Sequence, residues 1–316
     1  MESIPEWAAK VVAGDLRAIG RAITAIENGE EAGIPLLKEL FPRTGRGVTV
    51  GVTGAPGTGK STLVDQLARR YRQEDKKLGI VAVDPTSPFT GGAILGDRIR
   101  MSSLSTDEGI YIRSMANRGR MGGLASATLD AVSVLDAAGK DIILVETVGV
   151  GQDEVDIAEL ADVTLVLLVP GMGDSLQPFK AGVMEIADIF VVNKADLAGA
   201  DRVAREVTAL LEISPAAGPW TPTVILTSAT HGEGIGRLME SIRDFLKVGQ
   251  EGELMRERLR RRWRARLREL LRSRLENLMT RRVSDGDLDR YTEQIAARRQ
   301  DPYTVIEKML EQAGWN

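Results

Sequence analysis

GAPGTGKS, at residues 54–61, is the stretch that decides the fold class, because it fits the pattern G-x-x-x-x-G-K-[ST]. It lies between the apolar run Val48–Thr53 and a helical stretch that starts near Lys60. Glycines let such a loop turn tightly with its N–H groups towards phosphate, and the helix N-terminus adds positive charge. We therefore predict a phosphate site with contacts from Gly54, Ala55, Pro56, Gly57, Thr58, Gly59, Lys60, Ser61 and Thr62.

Two residues of this loop contribute side-chain chemistry. Lys60 is placed to reach the β- and γ-phosphates of a nucleotide, and the Ser61 hydroxyl is placed to bind Mg2+. The alternative is a chance match to the pattern, and the placement between a strand and a helix argues against it.

Apolar runs alternate with helical stretches along the chain on both sides of the loop. Continuous β-branched runs in such an alternation indicate a parallel sheet covered on both faces. We predict an α/β fold, a P-loop NTPase parallel sheet flanked by helices, with helical N- and C-terminal extensions. The predicted strands are Val48–Thr53, Gly79–Asp84, Asp141–Thr147, Val163–Val169, Ile189–Asn193 and Thr223–Thr227, and the predicted helices include 60–73, 124–138, 200–212 and 233–246.

Three segments are predicted along the chain. Residues 1–46 form an N-terminal helical extension, because apolar residues recur at helical spacing between Leu16 and Ile26. Residues 47–247 form the P-loop NTPase domain. Residues 248–316 contain no strand pattern and form a C-terminal helical segment.

The segment NKAD, at residues 193–196, directly follows the predicted strand that begins at Ile189. The Asp196 carboxylate can accept two hydrogen bonds from guanine N1 and N2, whereas adenine has no such pair of donors. Lys194 can lay its stem along the base, and Asn193 can brace the neighbouring loops. The alternative is a polar helix start.

A second polar loop, at residues 228–230, follows the last predicted strand. In Ser228, Ala229 and Thr230 the backbone N–H groups are placed to contact the guanine oxygen. Both polar loops lie at the carboxyl ends of strands, where open α/β sheets bind ligands. Together they favour GTP and GDP over ATP.

A third strand end carries Glu146, which follows four apolar residues. P-loop proteins place the carboxylate that holds the Mg2+ shell at this position, most often as Asp. Gly149, three residues further on, is placed for its N–H to touch the γ-phosphate and so to sense its loss. The alternative is a strand that ends in a solvated glutamate.

Two further carboxylates flank a glycine-rich loop. Asp84 ends a predicted strand, and Asp97 follows the loop 85–96. We predict that both residues hold Mg2+, directly or through its bound water, and that the loop is a switch. A cap or turn role is the alternative for each Asp. The loop 170–177 is a second candidate mobile element, or a helix start capped by Asp174.

Composition limits the chemistry that the 316 residues can perform. The chain has no cysteine and one histidine, His231, which excludes disulfides, thiolate ligands and a multi-histidine centre. Any metal is therefore a hard cation held by oxygen. The N-terminus lacks a secretory pattern, and no apolar run approaches the ~20 residues of a membrane span. We expect a cytoplasmic protein with no membrane segment.

Four segments resemble the MeaB/MMAA/ArgK type of GTPase, and the likeness spans roughly residues 15–250. Family members are chaperones of adenosylcobalamin-dependent acyl-CoA mutases, notably methylmalonyl-CoA mutase, and they gate cofactor loading and protect or reactivate the enzyme. The matching segments are VDPTSPFTGGAILGDRIRM (83–101), IRSMANRGRMGGLA (112–125), ETVGVGQDE (146–154) and PGMGDSLQPFKAG (170–182).

The resemblance implies roles for individual residues and segments. It implies that residues 83–101, 146–154 and 170–182 are switches, the last of which signals to the mutase. It also implies a homodimer formed through C-terminal helices, although no motif in that part of the chain matches residue by residue. The implied nucleotide–Mg2+ site consists of Lys60, Ser61, Asp84, Asp97 and Glu146, of which Lys60, Glu146 and Asp97 are the catalytic candidates, and guanine is held by Asn193, Lys194 and Asp196.

Residues 255–282 form a basic amphipathic segment. It holds twelve Arg and three Glu, a local charge of +9, which leaves −13 for the rest of a chain whose net charge is −4. Packing on an acidic surface of the same chain or of a twin subunit is the interpretation that we favour over lipid or nucleic acid. The apolar stripe consists of Leu259, Trp263, Leu267, Leu270, Leu271, Leu275 and Leu278.

Other GTPase functions fit the sequence less well. A GTPase that inserts metal into another enzyme displays Cys or His near its switches, which this chain lacks. A protein-targeting GTPase needs a Met-rich groove, and the C-terminal region offers only Met255, Met279 and Met309. A transport-associated kinase or NTPase is a further alternative, although no motif identifies an acceptor site.

The residue that positions the attacking water is left open by the sequence. Gln152 is a candidate by its place in a switch, and Arg98, Arg113, Arg118 or a partner's residue could supply charge to the transition state. We therefore predict slow intrinsic hydrolysis that the mutase accelerates.

Overall fold

The computed structural model describes residues 2–85, 104, 106–117, 123–147, 153–171, 183–213, 218–312 and 314. Within these residues, seven strands pair in parallel to form one sheet. The strands are β1 (Val48–Gly54), β2 (Leu78–Pro85), β3 (Ile110–Asn117), β4 (Ile142–Thr147), β5 (Val163–Leu168), β6 (Ile189–Val192) and β7 (Thr223–Leu226).

Helices precede, connect and follow these strands. A 3-10 turn at Phe41–Arg43 ends the N-terminal group of helices. The helices are α1 (Ile4–Val12), α2 (Leu16–Glu27), α3 (Gly33–Leu40), α4 (Lys60–Gln73), α5 (Gly123–Ala137), α6 (Asp153–Leu160), α7 (Val183–Ile186), α8 (Ala200–Ile213), α9 (Ile235–Glu251), α10 (Leu254–Arg282), α11 (Asp285–Ala296) and α12 (Pro302–Gln312).

The order of strands places β1 in the middle of the sheet. The order is β3-β2-β4-β1-β5-β6-β7, so β1 lies between β4 and β5 while the chain continues from β1 to β2. Val52 pairs with Glu146 on one side, and Gly54 pairs with Leu167 on the other. A ligand site is expected where the strand order reverses, at the carboxyl ends of the strands. That position is where the predicted phosphate loop leaves β1.

One face of the sheet packs against α4 and α9. Val52 of β1, Leu63 and Leu67 of α4, and Phe245 of α9 belong to a single apolar cluster, and each side chain is fully buried. Burial of a side chain of this size stabilises a fold by about 1.5–3 kcal/mol. This cluster fixes the start of α4 against the sheet.

The opposite face packs against α5, α6 and the N-terminal helices. Ile19 and Ile23 of α2 are buried with Leu135 of α5 and Val145 of β4. The Trp7 indole of α1 donates a buried hydrogen bond of 3.1 Å to the Ala18 carbonyl. The predicted N-terminal helices are therefore part of the core that supports the sheet.

The six predicted strands are confirmed, but the structure adds β3, which the sequence reasoning missed. This strand lies at the edge of the sheet and pairs with β2 alone. Ile110 and Met115 are buried, whereas Tyr111 and Arg113 are half-buried. Because the polar residues Arg113 and Ser114 interrupt β3, it lacks the continuous apolar run that marks the other strands.

The chain divides into two compact units, at residues 1–259 and 260–316. The second unit is helical, and Val283, Tyr291, Val305 and Met309 form its small apolar cluster. Among the helices of the described residues, none combines the length and the apolar character that crossing a bilayer requires.

Candidate nucleotide site

The phosphate loop begins where β1 ends. Gly54 has a φ of 144°, and a Cβ there would lie 2.5 Å from the Leu167 carbonyl oxygen, so only glycine fits. After the turn, Gly59 adopts the left-handed conformation with a φ of 91°, and α4 starts at Lys60. Gly59 has no side chain to cap the helix. The N–H groups of the first turn are therefore available for an anion.

The Lys60 ammonium lies across the loop. Its Nζ donates to the Gly54 carbonyl at 2.7 Å and to the Ala55 carbonyl at 3.1 Å. The residue is only 6% exposed. Thr58 closes the turn with a hydroxyl hydrogen bond of 2.8 Å to the Ala55 carbonyl. A positive charge is thus fixed inside the cradle where a polyphosphate would lie.

Ser61 and Glu146 meet at the edge of this cradle. The Ser61 hydroxyl donates to Glu146 Oε1 at 2.6 Å, and Glu146 is 5% exposed. The two residues come from α4 and β4, which are separate in sequence and adjacent in space. A hydroxyl and a carboxylate are the hard oxygen donors that Mg2+ prefers, so the donor set fits that ion.

The other predicted Mg2+ residues are only partly described. Asp84 belongs to β2, one residue beyond Val83, which pairs with Thr147 at the tip of β4. Its backbone is therefore at the same edge of the sheet as Glu146. Asp97 and Gly149 lie outside the described residues.

Asn193 connects the phosphate loop to the base loops. Its side chain is buried, and its Nδ2 donates to the Thr58 carbonyl at 2.8 Å. Its Oδ1 accepts from the Thr227 hydroxyl and from the Ala229 N–H, each at 3.1 Å. These contacts brace the phosphate loop against the loop that follows β7, as the sequence predicted for Asn193.

Asp196 and Lys194 are both exposed at the mouth of the site. The Ser228 hydroxyl donates to Asp196 Oδ1 at 2.6 Å. This hydrogen bond lowers the pKa of the Asp196 carboxyl, and the residue's own backbone N–H lowers it further. The carboxyl is therefore an ionised acceptor at neutral pH. Lys194 has a φ of 57°, a left-handed conformation that turns the chain at the tip of β6.

The backbone N–H groups of the loop at residues 228–230 are partly used within the protein. The Ser228 N–H donates to the Glu233 carbonyl, and the Ala229 N–H donates to Asn193. Thr230 is exposed beside them. The guanine contact predicted for this loop stays a prediction.

Among the candidates for transition-state charge and water positioning, Arg113 is the one that the structure describes. Arg113 lies on the edge strand β3 and forms an ion pair of 2.5 Å with Glu27 of α2. Gln152, Arg98 and Arg118 lie outside the described residues, as do most positions of the predicted switches 83–101, 146–154 and 170–182.

Three threonines at the site were missed by the sequence reasoning. Thr227 holds Asn193 through its buried hydroxyl. The hydroxyls of Thr147 and Thr53 share a buried hydrogen bond of 3.1 Å between the tips of β4 and β1. A hydroxyl at the carboxyl end of an otherwise apolar strand is the signal that could have found them.

Comparison with known proteins agrees with this geometry. The family model described as "Methylmalonyl Co-A mutase-associated GTPase MeaB" matches residues 19–284. A protein of Pyrococcus abyssi is 43% identical over 312 residues, which cover 98% of this chain and 96% of that protein. The mouse protein named "Methylmalonic aciduria type A homolog, mitochondrial" is 36% identical over 267 residues, 78% of this chain and 64% of that protein.

A solved structure extends the agreement to the whole fold. The crystal structure of a "LAO/AO transport system kinase" superposes on this chain with a TM-score of 0.74 at 25% identity. The match covers 98% of this chain and 96% of that chain. A family match over residues 19–284, a cradle for phosphate and an acidic side chain at the base loop point to the same conclusion. The chain belongs to the MeaB family of P-loop GTPases.

Proposed function

We propose that this GTPase is a nucleotide-dependent chaperone of an adenosylcobalamin-dependent acyl-CoA mutase, with methylmalonyl-CoA mutase as the first candidate. Two names support the choice of partner: the family description includes that mutase, and the mouse relative is named for methylmalonic aciduria. The observation that carries the nucleotide dependence is the Asn193 side chain, which joins the phosphate loop to the base loop in one site.

Guanine selection rests on Asp196 in this proposal. Its carboxylate is held ionised by Ser228, and guanine offers N1–H and N2–H donors to its two oxygens. Lys194, beside it, is exposed and able to lie along the base. The remaining base-side contacts come from the loop at residues 228–230.

Mg2+ is the ion that the site would hold. Ser61 and Glu146 provide oxygen ligands, either directly or through water, and Asp84 and Asp97 are the further carboxylates that we assign to the ion. When bound, Mg2+ neutralises charge on the β- and γ-phosphates.

The chain's own residues account for the rest of the reaction. Lys60 places its ammonium among the phosphate oxygens, where it stabilises the negative charge that develops as the γ-phosphoryl group leaves. The N–H groups at the start of α4 act in the same way. Glu146 holds the Ser61 hydroxyl in place. The loss of the γ-phosphate is then read by the switch segments 83–101, 146–154 and 170–182, which pass the change to the mutase.

A homodimer in the cytoplasm is part of the proposal. On α10, Leu267 and Leu271 are 64% and 62% exposed, and Leu259 and Leu270 are also exposed. A row of exposed leucines on a long helix is typical of a surface that a second subunit covers. Light scattering of a Leu267→Asp/Leu271→Asp variant tests this part, because monomer at a concentration where the wild type is a dimer is the expected result.

The central experiment measures capture of purified methylmalonyl-CoA mutase by the immobilised protein. Capture is expected to differ between a non-hydrolysable GTP analogue and GDP, and hydrolysis is expected to accelerate when the mutase is added. The Lys60→Ala variant should lose the dependence on the γ-phosphate.

Asp196→Asn provides a matched control for the same experiment. An Asn at this position suits the 2-carbonyl of xanthine better than the 2-amino group of guanine, so this variant should respond to xanthosine nucleotides in place of guanosine nucleotides. Equal capture and equal turnover in all nucleotide states would contradict the proposal.

A further inference from the structure

The Ser228 hydroxyl is buried and has two close polar neighbours. Asp196 Oδ1 is 2.6 Å from its oxygen, and His231 Nδ1 is 2.8 Å from it on the other side. Ser228 itself is 1% exposed, whereas His231 and Asp196 both reach solvent. A three-membered chain of side chains thus runs from the lone histidine to the carboxylate assigned to guanine.

The supply of protons fixes the direction of these hydrogen bonds. A serine hydroxyl has a single proton to donate, and an ionised carboxylate can only accept. The Ser228 proton must therefore point to Asp196, so the hydroxyl oxygen is the acceptor towards His231. Both short contacts are hydrogen bonds only if His231 carries its proton on Nδ1, in the neutral or the charged ring.

The local backbone holds His231 over Ser228. Ser228 and Glu233 form an isolated antiparallel bridge, and the His231 N–H donates to the Ser228 carbonyl at 3.0 Å. Gly234 closes this turn with a φ of 74°, where a Cβ would collide with the Leu226 carbonyl oxygen. The imidazole is therefore placed by a tight turn and not by a freely moving loop.

We infer that His231 is a positioning residue for guanine recognition, which acts through the Ser228 hydroxyl to hold the Asp196 carboxylate in one orientation. The inference rests on the proposed role of Asp196. With the His231 N–H in place, the hydroxyl cannot rotate away from Asp196. One carboxylate oxygen is thereby anchored, and the carboxylate plane is set for two parallel donors on the base edge.

A comparison of GTP with ITP distinguishes a role of His231 in positioning Asp196 from a purely structural role. Inosine lacks the 2-amino group of guanine, so ITP offers Asp196 a single donor and depends less on the carboxylate plane. Loss of the His231 N–H should weaken GTP more than ITP, whereas a loop that is merely loosened should weaken both equally. The Kd ratio of ITP to GTP is therefore the decisive quantity.

The test uses His231→Phe, which keeps a ring without nitrogen, and His231→Asn, whose amide nitrogen lies close to the position of Nδ1. Calorimetry of the full chain in Mg2+ buffer gives the Kd for each nucleotide. In the Phe variant we expect the Kd of GTP to rise about fivefold, as for the loss of one hydrogen bond, and that of ITP less than about twofold. The Asn variant should restore most of the wild-type ratio.

Each outcome decides the inference. If the ratio of the ITP Kd to the GTP Kd in His231→Phe equals that of the wild type, whether both affinities are kept or both fall equally, the inference is overturned and the proposed function is left intact. The assignment of guanine to Asp196 fails together with the inference under two joint results. The wild type binds ITP as tightly as GTP, and the Asp196→Asn variant gains no preference for xanthosine nucleotides. Melting temperatures of both His231 variants confirm folding, which the exposure of the residue leads us to expect.

Discussion

The side-chain amide of Asn193 donates a 2.8 Å hydrogen bond to the backbone carbonyl of Thr58. These residues are 135 positions apart in sequence. The first follows β6 and the second lies in the phosphate loop after β1. The same side chain accepts from Thr227 and Ala229, so one buried amide fixes the phosphate loop against the loop after β7 that we assign to the base.

Replacing Asn193 by Ala should therefore reduce both stability and nucleotide binding. The change removes three hydrogen bonds and leaves the buried Ala229 N–H without its acceptor, which we expect to lower the free energy of unfolding by about 2–3 kcal/mol. Affinity for GTP and GDP should fall at least about tenfold, since both halves lose their spacing. Urea unfolding without nucleotide and calorimetry measure the two effects.

Lys194→Ala is the matched control for Asn193→Ala. It changes the neighbouring exposed residue, so its stability should stay within about 0.5 kcal/mol of the wild type. An Asn193→Ala protein as stable as this control would contradict the bracing role.

Gly59→Ala should displace Asn193 from the opposite side. A Cβ on Gly59 would lie 2.5 Å from Asn193 Nδ2, at a φ of 91°. Gly57→Ala is the matched control, because its φ of 82° gives similar backbone strain while no described atom lies within 4 Å of the added Cβ. We expect Gly59→Ala to lower the nucleotide-free unfolding free energy by at least about 1 kcal/mol more than Gly57→Ala. Equal losses of unfolding free energy in the two variants, measured by urea unfolding, would show that backbone strain alone destabilises Gly59→Ala.

Ser61→Ala and Glu146→Gln should weaken the use of Mg2+. The first removes the hydroxyl that we assign to Mg2+, and the second removes the negative charge that holds this hydroxyl at 2.6 Å. The Mg2+ concentration for half-maximal GTP hydrolysis should rise about tenfold or more. GDP affinity in EDTA should change less than about twofold, since the phosphate loop is intact. If GDP affinity in EDTA falls strongly while the Mg2+ requirement for hydrolysis is unchanged, neither residue binds the ion.

Arg258→Met should destabilise the protein away from the nucleotide site. Arg258 makes two contacts with Asp188, at 2.8 Å and 2.5 Å, and Asp188 is 3% exposed. Loss of the arginine leaves a buried carboxylate without its cation, which we expect to cost about 2–3 kcal/mol at pH 7. Urea unfolding measures the loss.

The pH dependence of that loss has a definite sign. Burial raises the pKa of the Asp188 carboxyl, while Arg258 and the Thr164 N–H pull the pKa down. Without Arg258 the folded-state pKa rises further above the unfolded value. The penalty then appears as pH rises through the folded pKa, so the deficit relative to wild type should be larger at pH 8 than at pH 5. An equal deficit at both pH values would contradict the ion-pair explanation.

The double variant Arg258→Met/Asp188→Asn is the control. The amide oxygen of the substituted side chain can still accept from the Thr164 N–H, and the buried charge is gone. Recovery of part of the lost stability, independent of pH, is the expected result.

Local patterns were sufficient for most of the fold. The six predicted strands are apolar runs, most of which are buried on both faces, and the helix after the phosphate loop begins at Lys60 as predicted. The edge strand β3 was missed because the polar residues Arg113 and Ser114 interrupt its apolar residues, so it shows no continuous apolar run. The site residues of the phosphate loop were recognisable because eight consecutive positions carry the whole pattern.

The sequence by itself determined the fold class and the phosphate loop and predicted the base motif, because each depends on residues that are neighbours along the chain. Only the tertiary structure decided which distant groups meet: Ser61 with Glu146, Asn193 with Thr58, and Arg113 with Glu27. Those pairings depend on strand order and register, which are set by packing across the whole sheet. His231 shows the same limit, since the sequence marked it only as a lone histidine and the folded turn placed it on Ser228.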